Sequence, residues 1–277
     1  MIKFVNSLIL LMVITLSPCN SFAEKQTTFT IGIVPQFEIR HLRKIWSPII
    51  NELEKSTGYK LELKGSPTIP DFEKELNSGK FDFVYMNPYH MIIAEKSQGY
   101  IPLVRDIGRK LHGILVVRKD GNIKTLHDLN GKKIAFPAPN ALGASLLIRS
   151  NLRNQYKIDF NPVYVKTHSS VYLNVIVKQT EAGGGVQKTL NQQKSNIKGD
   201  LRILHRSPEV APHPIAVHPR VPNHVSDKIK NSLLELGDHS VGQALLSKIP
   251  IKLIGTANMV DYLPLKNMGL DKFYVEE

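Results

Sequence analysis

Two α/β lobes joined by a pair of extended crossings are the fold this sequence predicts. Strand-like and helix-like segments alternate with short connections from residue 29 onward, the pattern that builds layered α/β sheets. The alternation restarts near Lys124 as a second unit. Two later strand-like runs, residues 201–204 and 214–217, lead back toward the first.

Taken in order, Phe29-Thr30-Ile31-Gly32-Ile33-Val34-Pro35 is the opening strand. Leu42, Ile45, Trp46, Ile49, Ile50 and Leu53 recur at helical spacing, and Pro48 is expected to kink that helix or mark its true start. Gly58 closes the unit, residues 59–64 alternate as a strand, and residues 72–76 form a short helix ended by Gly79. Phe81-Asp82-Phe83-Val84-Tyr85 is a third strand. Asn87-Pro88 then joins a side-chain cap to a proline at the first helical position. Strands follow at 101–104 and 113–118. In the second unit a helical turn feeds a strand ending at Phe136, and a helix covers 142–153. A strand at 162–165, a helix at 169–178 and a glycine turn at Gly183-Gly184-Gly185 complete it. After the returning strands, residues 225–236 and 240–246 read as helices. Such alternation favours largely parallel sheets, with lobes at 24–117 plus 211–277 and at 118–210. A ligand belongs between them, outside the carboxyl ends of the strands.

The first residues read as an export signal. Lys3 precedes the apolar run 8–14, and Ser21-Phe22-Ala23 offers small residues at the spacing signal peptidase needs, so cleavage is expected after Ala23 and the mature chain in the periplasm. The apolar run falls short of the ~18 residues of a membrane span. Cys19 is the one cysteine and lies in that leader, so no disulfide is expected. Lipid anchoring at Cys19 is the lesser alternative, because Pro18 fits poorly the small-residue position before an acylated cysteine. The formal net charge is +12, from 36 Lys and Arg against 24 Asp and Glu. That excess speeds encounter with anions. Basic residues are scattered, without runs or interleaved aromatics, so no nucleic-acid partner is expected.

Three strand-to-helix junctions could hold an oxyanion on unpaired backbone N–H groups: Tyr85-Met86-Asn87, the segment Asn140-Ala141-Leu142-Gly143-Ala144-Ser145, and Thr167-His168-Ser169-Ser170. His168 stands at the front of its helix, where the dipole favours a neutral ring that still donates. His205, His213, His218 and His224 match no zinc spacing, so no metal is expected. The sequence has no G-x-S-x-G, P-loop or G-x-G-x-x-G motif, which points away from an enzyme and from a cofactor.

In order and spacing, Gly32-Ile33-Val34-Pro35, the stretch from Phe81 to Pro88 and the stretch from Leu126 to Phe136 form a set with Pro139-Asn140, Thr167-His168-Ser169-Ser170 and the stretch from Ser207 to Pro214. In these motifs the sequence resembles the phosphate/phosphite/phosphonate-type periplasmic binding proteins of ABC importers, which have the type II binding-protein fold. The resemblance covers essentially all of the mature chain. It implies a small anionic ligand and an ABC permease as partners, no cofactor, and a monomer. It implies ligand contacts from Tyr85 and Asn87 of the first lobe and from Asn140, Ala141, Leu142, Gly143, Ser145, His168 and Ser169 of the second. Ala141-Leu142-Gly143 stands where the family has a hydroxyl-rich run, and His213 where aminophosphonate binders place an Asp. A periplasmic ligand sensor partnering a membrane kinase or cyclase is the alternative role, and an enzyme on the same fold the remaining one.

Overall fold

β1 (Thr28–Ile33), β2 (Lys60–Gly65), β3 (Phe83–Tyr85) and β4 (Ile101–Asp106) alternate with α1 (Ile39–Thr57), α2 (Ile69–Asn77) and α3 (Pro88–Gln98) in a computed structural model that describes residues 27–276. The expected leader, its cleavage site and Cys19 lie outside the described residues. The chain then passes through β5 (Gly113–Arg118), β6 (Lys133–Phe136), β7 (Asn161–Tyr164), β8 (Ala182–Val186) and β9 (Leu201–Arg206). Their helices are α4 (Leu147–Ser150), α5 (His168–Ile176), α6 (Gln187–Asn191) and α7 (Ser195–Gly199). β10 (Pro214–Val217), α8 (Asn223–Glu235), α9 (Ser240–Leu246) and β11 (Ile254–Thr256) follow.

The strands make two sheets, ordered β11-β4-β10-β3-β1-β2 and β7-β6-β8-β5-β9. The expected two-lobed α/β class is therefore present, but the sheets are mixed, not parallel-rich. β1 runs parallel to β2 and β3, whereas β10 is antiparallel to β3 and β4. β6 is parallel to β7 and β8, whereas β5 is antiparallel to β8 and β9. The reason lies in the crossings. β5 and β10 each enter a sheet straight from an extended interlobe connection, without the helical crossover that a parallel neighbour requires. The expected boundary after residue 117 also moves, because β5 pairs wholly within the second sheet. The chain crosses instead between Asp106 and Gly113 and between Arg206 and Pro214. The two crossings pair through Leu111 N–H to Val210 O (2.9 Å) and Val210 N–H to Leu111 O (2.8 Å).

α1 passes through Pro48 without a break in its assignment. Leu42, Ile45 and Trp46 before the proline and Ile49, Ile50 and Leu53 after it are all buried, so one apolar stripe holds both halves. The carbonyl that loses its partner belongs to Lys44, on the exposed side where water can bond it. α1 ends at Gly58, whose left-handed backbone (φ 73°) suits glycine. The largest core cluster fills the first lobe around Trp46, Phe72, Phe81 and Tyr100, and it takes in Leu142, Leu146 and Leu147 from the second. The second sheet carries one cluster on each face, around Leu115 and Phe136 and around Val116 and Tyr172. Among the described residues no helix is long and apolar enough to cross a membrane.

Gly183-Gly184-Gly185 is the largest local correction. These residues form a fully buried strand inside the second sheet, not a turn. They are glycines because neighbouring segments approach too closely for a side chain. A Cβ on Gly184 would lie 1.9 Å from Ala144 O, and one on Gly185 would lie 2.2 Å from the Tyr172 hydroxyl.

Candidate functional site

The same close approach builds the site. Gly184 of β8 and Gly113 of β5 let the carbonyls of Ala144 and Gly143 lie directly on the sheet, each 1.9 Å from where a Cβ would be. The segment 142–146 is thereby seated at the interlobe face with little freedom to shift. It opens a helix that continues through α4 to Gln155 with wide turns at both ends. The N–H groups of Leu146 and Leu147 reach back five residues, to Ala141 O (3.1 Å) and to Leu142 O. Wide turns of this kind are frequent at functional positions. The amides of Leu142, Gly143 and Ala144 precede the first intrahelical bond and belong to the unpaired donors of any helix start.

Asn87, Ala141, Leu142, Gly143, His168 and His213 of the expected residues meet around one small interlobe cavity of about 20 Å³, roughly the room of a single water. They come from the carboxyl ends of β3, β6 and β7 and from the start of β10. Val34, Gln36, Ile69, Ala144 and Val186 line it as well. Val34 and Gln36 follow the end of β1 and Val186 is the last residue of β8, so the rule for open sheets could have found them. Ile69 carries no comparable signal. Among the described residues no carboxylate lines this cavity.

The remaining expected residues do other work. Asn140 is 1% exposed, and its amide is fully engaged by protein. Nδ2 donates to Glu73 Oε2 (3.0 Å) and to Val275 O (2.8 Å), and Oδ1 accepts from Val275 N–H (2.9 Å). Its carbonyl accepts from Asn87 Nδ2 at 3.2 Å. Asn140 thus clasps the second lobe to α2 and to the C-terminal segment. Asn87 Oδ1 caps α3 by accepting from Tyr89 N–H (2.9 Å) and His90 N–H (2.8 Å). Ser145 is buried beside Arg149, and Ser169 accepts from Gln193 Nε2 at 3.3 Å. Neither borders the cavity. Tyr85 lies behind it, its ring stacked on His213 at 5.2 Å. Its hydroxyl is buried and has no hydrogen-bond partner among the described residues, a condition that costs about 1–3 kcal/mol when nothing satisfies it.

Both histidines are held neutral. Burial lowers His168 to about 4. Burial, reinforced by His90 and His168, lowers His213 to about 3. Gln36 Nε2 donates to His213 Nε2 at 2.7 Å, since an amide nitrogen can only donate. His168 Nδ1 lies 3.2 Å from the Thr189 hydroxyl, which also contacts Val186 O and the Tyr172 hydroxyl. When Thr189 turns its single proton from Val186 O to Nδ1, the ring proton of His168 sits on Nε2, the form an anion would select. Thr167 Oγ1 fixes this helix start by accepting from Ser170 N–H at 3.1 Å.

Arg149 braces the site turn from behind, donating to Pro139 O (2.9 Å) and to Phe273 O (2.8 Å). It is 8% exposed, lies over the rings of Tyr164 and Phe273, and has no carboxylate within ion-pair distance among the described residues. Burial lowers its affinity for its proton. A buried cation without a carboxylate adds positive potential to this part of the second lobe. Among the described residues no group of three His, Cys, Asp or Glu could hold a metal ion.

Comparison with known proteins gives a consistent family. The chain is 21% identical over 274 residues to the phosphonates-binding periplasmic protein of Escherichia coli (strain K12), covering 93% of this chain and 80% of that protein. It is 23% identical over 230 residues to the phosphate-import protein PhnD of Mycolicibacterium smegmatis, covering 73% and 70%. The structure of PhnD1 from Prochlorococcus marinus in complex with methylphosphonate superposes with a TM-score of 0.80 at 16% identity, covering 89% of this chain and 98% of that one. Residues 31–262, most of the chain, match the family model described as ABC transporter, phosphonate, periplasmic substrate-binding protein. The chain belongs to this family of periplasmic substrate-binding proteins of phosphonate ABC transporters.

Proposed function

We propose that this protein captures a small phosphonate- or phosphate-like oxyanion between its lobes in the periplasm and delivers it to an ABC importer. The observation that carries this reading is the interlobe cavity itself. Free amides of a helix start, two neutral histidines and, among the described residues, no carboxylate converge on it, at the ends of the strands of both sheets. Leu142, Gly143 and Ala144 supply backbone donors where the sequence offers no hydroxyls. His168 donates through Nε2, and Gln36 and His213 face the anion from the first lobe. Each charge-assisted hydrogen bond contributes about 1.5–3 kcal/mol. Tyr85 holds the His213 ring by stacking.

About 20 Å³ is too little for a tetrahedral anion, so the lobes must part at the paired crossings to admit one. Ligand then shifts the population toward the closed form in proportion to its differential affinity for that form. Thermal unfolding tests the reading. A ligand at a hundred times its dissociation constant adds about 2.7 kcal/mol, or roughly 5–11 °C for a chain of this size. Methylphosphonate, phosphite or phosphate should give such a shift, and sodium chloride at equal ionic strength should not. His168→Ala should weaken binding by roughly ten- to a hundredfold, at 1.4 kcal/mol per decade. Stabilisation by an uncharged or cationic solute and by none of these anions would overturn the proposal.

A further inference from the structure

The small cavity adjoins a much larger one, with which it shares walls. Gln36, Val186 and His213 border both, and the second chamber, about 380 Å³, extends from them along the hinge side of the cleft. Its volume far exceeds what a bare tetrahedral anion needs, so it has room for whatever that anion carries.

The charges around this chamber are uneven. Arg109 and Lys110 reach it from the first crossing, and Lys188 from α6 of the second lobe. Lys188 has no carboxylate within 4 Å among the described residues, and its Nζ donates across the cleft to Ser247 O of the first lobe at 3.0 Å. Two carboxylates also border the space. Asp106 is already committed, accepting from the backbone N–H groups of Gly108 (2.8 Å), Lys252 (2.9 Å) and Leu253 (3.1 Å) and from Arg109 Nε (3.3 Å). Glu209 is 61% exposed and points its charge to solvent near His112. Partial burial, and then the neighbouring Arg109, lower the proton affinity of Lys188. Arg109 is thus paired with Asp106, whereas Lys188 beside it has no carboxylate partner among the described residues, an imbalance that a negatively charged group in the chamber would relieve.

Resting on the proposed oxyanion site, we infer that the preferred ligand is a phosphonate whose substituent carries a second anionic group, seated in the chamber against Lys188 and Arg109. Once the lobes part to admit it, the tetrahedral head is held by the groups that line the small cavity, all of them neutral. The substituent passes His213 into the chamber, where the cations are. An ammonium-bearing substituent meets the wrong sign there, because the carboxylates that border the chamber are spent on backbone amides or turned to water.

Calorimetric titration of the whole protein with three probes tests this: methylphosphonate, 2-carboxyethylphosphonate and 2-aminoethylphosphonate. The carboxylated probe should bind at least tenfold more tightly than methylphosphonate, and the amino probe more weakly than either. Lys188→Gln should bring the carboxyl-to-methyl ratio to within about twofold, with melting of the ligand-free variant confirming that it folds. If methylphosphonate binds but the carboxylate adds nothing, or if Lys188→Gln keeps the tenfold ratio, this assignment of the chamber is overturned while the oxyanion site stands. If no phosphonate binds, the oxyanion reading itself fails, and this inference with it.

Discussion

Replacing Asn140 with alanine separates a clasp from a ligand contact. The side chain makes one bond to the buried Glu73 carboxylate and two to the backbone of Val275. A hydrogen bond to a charged group contributes about 1.5–3 kcal/mol and a neutral one about 0.5–1.5 kcal/mol. Glu73 and Asn140 are 2% and 1% exposed, so water cannot replace the lost partner without opening the interface. The expected loss is about 3–5 kcal/mol. At roughly 2–4 °C per kcal/mol, the melting temperature should fall by about 6–20 °C. Ligand affinity should fall less, because Asn140 gives the ligand no side-chain donor and its carbonyl contact with Asn87 is retained. Asn140→Asp should be worse than alanine at pH 7, since two carboxylates would then face each other, and it should recover as pH falls and one takes a proton. Circular dichroism melts and calorimetric titration on the same samples decide the matter. Unchanged melting together with a tenfold or greater loss of affinity would refute the clasp and return Asn140 to the ligand shell.

Gly184→Ala should force the site turn off the sheet, because the new methyl group would meet Ala144 O at 1.9 Å and the Phe136 ring at 2.7 Å. Overpacking of this kind costs at least about 1–3 kcal/mol, and here it should also weaken anion binding tenfold or more; wild-type urea stability and affinity would show that the turn is not held by β8. Stability should also depend on pH through the two buried histidines. Their folded values, about 4 for His168 and about 3 for His213, lie below the unfolded value of about 6.5. The unfolded chain therefore binds more protons, and the stability they confer is complete above about pH 6.5 and is lost as pH falls toward 4. Each histidine removes about 2 kcal/mol by pH 5. His168→Asn should cut the loss between pH 7 and pH 5 by about that amount in urea titrations, and an unaltered pH dependence would contradict its burial as a neutral ring.

Local physics was legible in the sequence wherever it acts within one element. The Asn87-Pro88 helix start, the stripe from Leu42 to Leu53 and the Gly58 stop are each set by neighbours a few residues apart, and the structure reproduces them. The two-lobed α/β class follows from the order of such elements. His168 could be placed at a helix start because capping by Thr167 is local, and the segment from Ala141 to Gly143 because it follows a strand. Everything that depends on contact across the chain was decided by tertiary structure. Three successive glycines read as a turn until α5 and the segment 142–146 are seen pressing on both faces of β8. Pro48 reads as a break until the buried stripe on either side outweighs one missing hydrogen bond. The antiparallel seats of β5 and β10 come from the two crossings, which no periodicity records. Asn140 looked like a ligand donor because its junction has the right residues. Its amide is committed to Glu73 and Val275, 67 and 135 positions away in the chain, and only the folded interface brings those groups together. The pairing of a neutral small cavity with a cationic chamber is likewise a product of the fold, since Lys188, Arg109 and His213 come from three separate segments that share no local pattern.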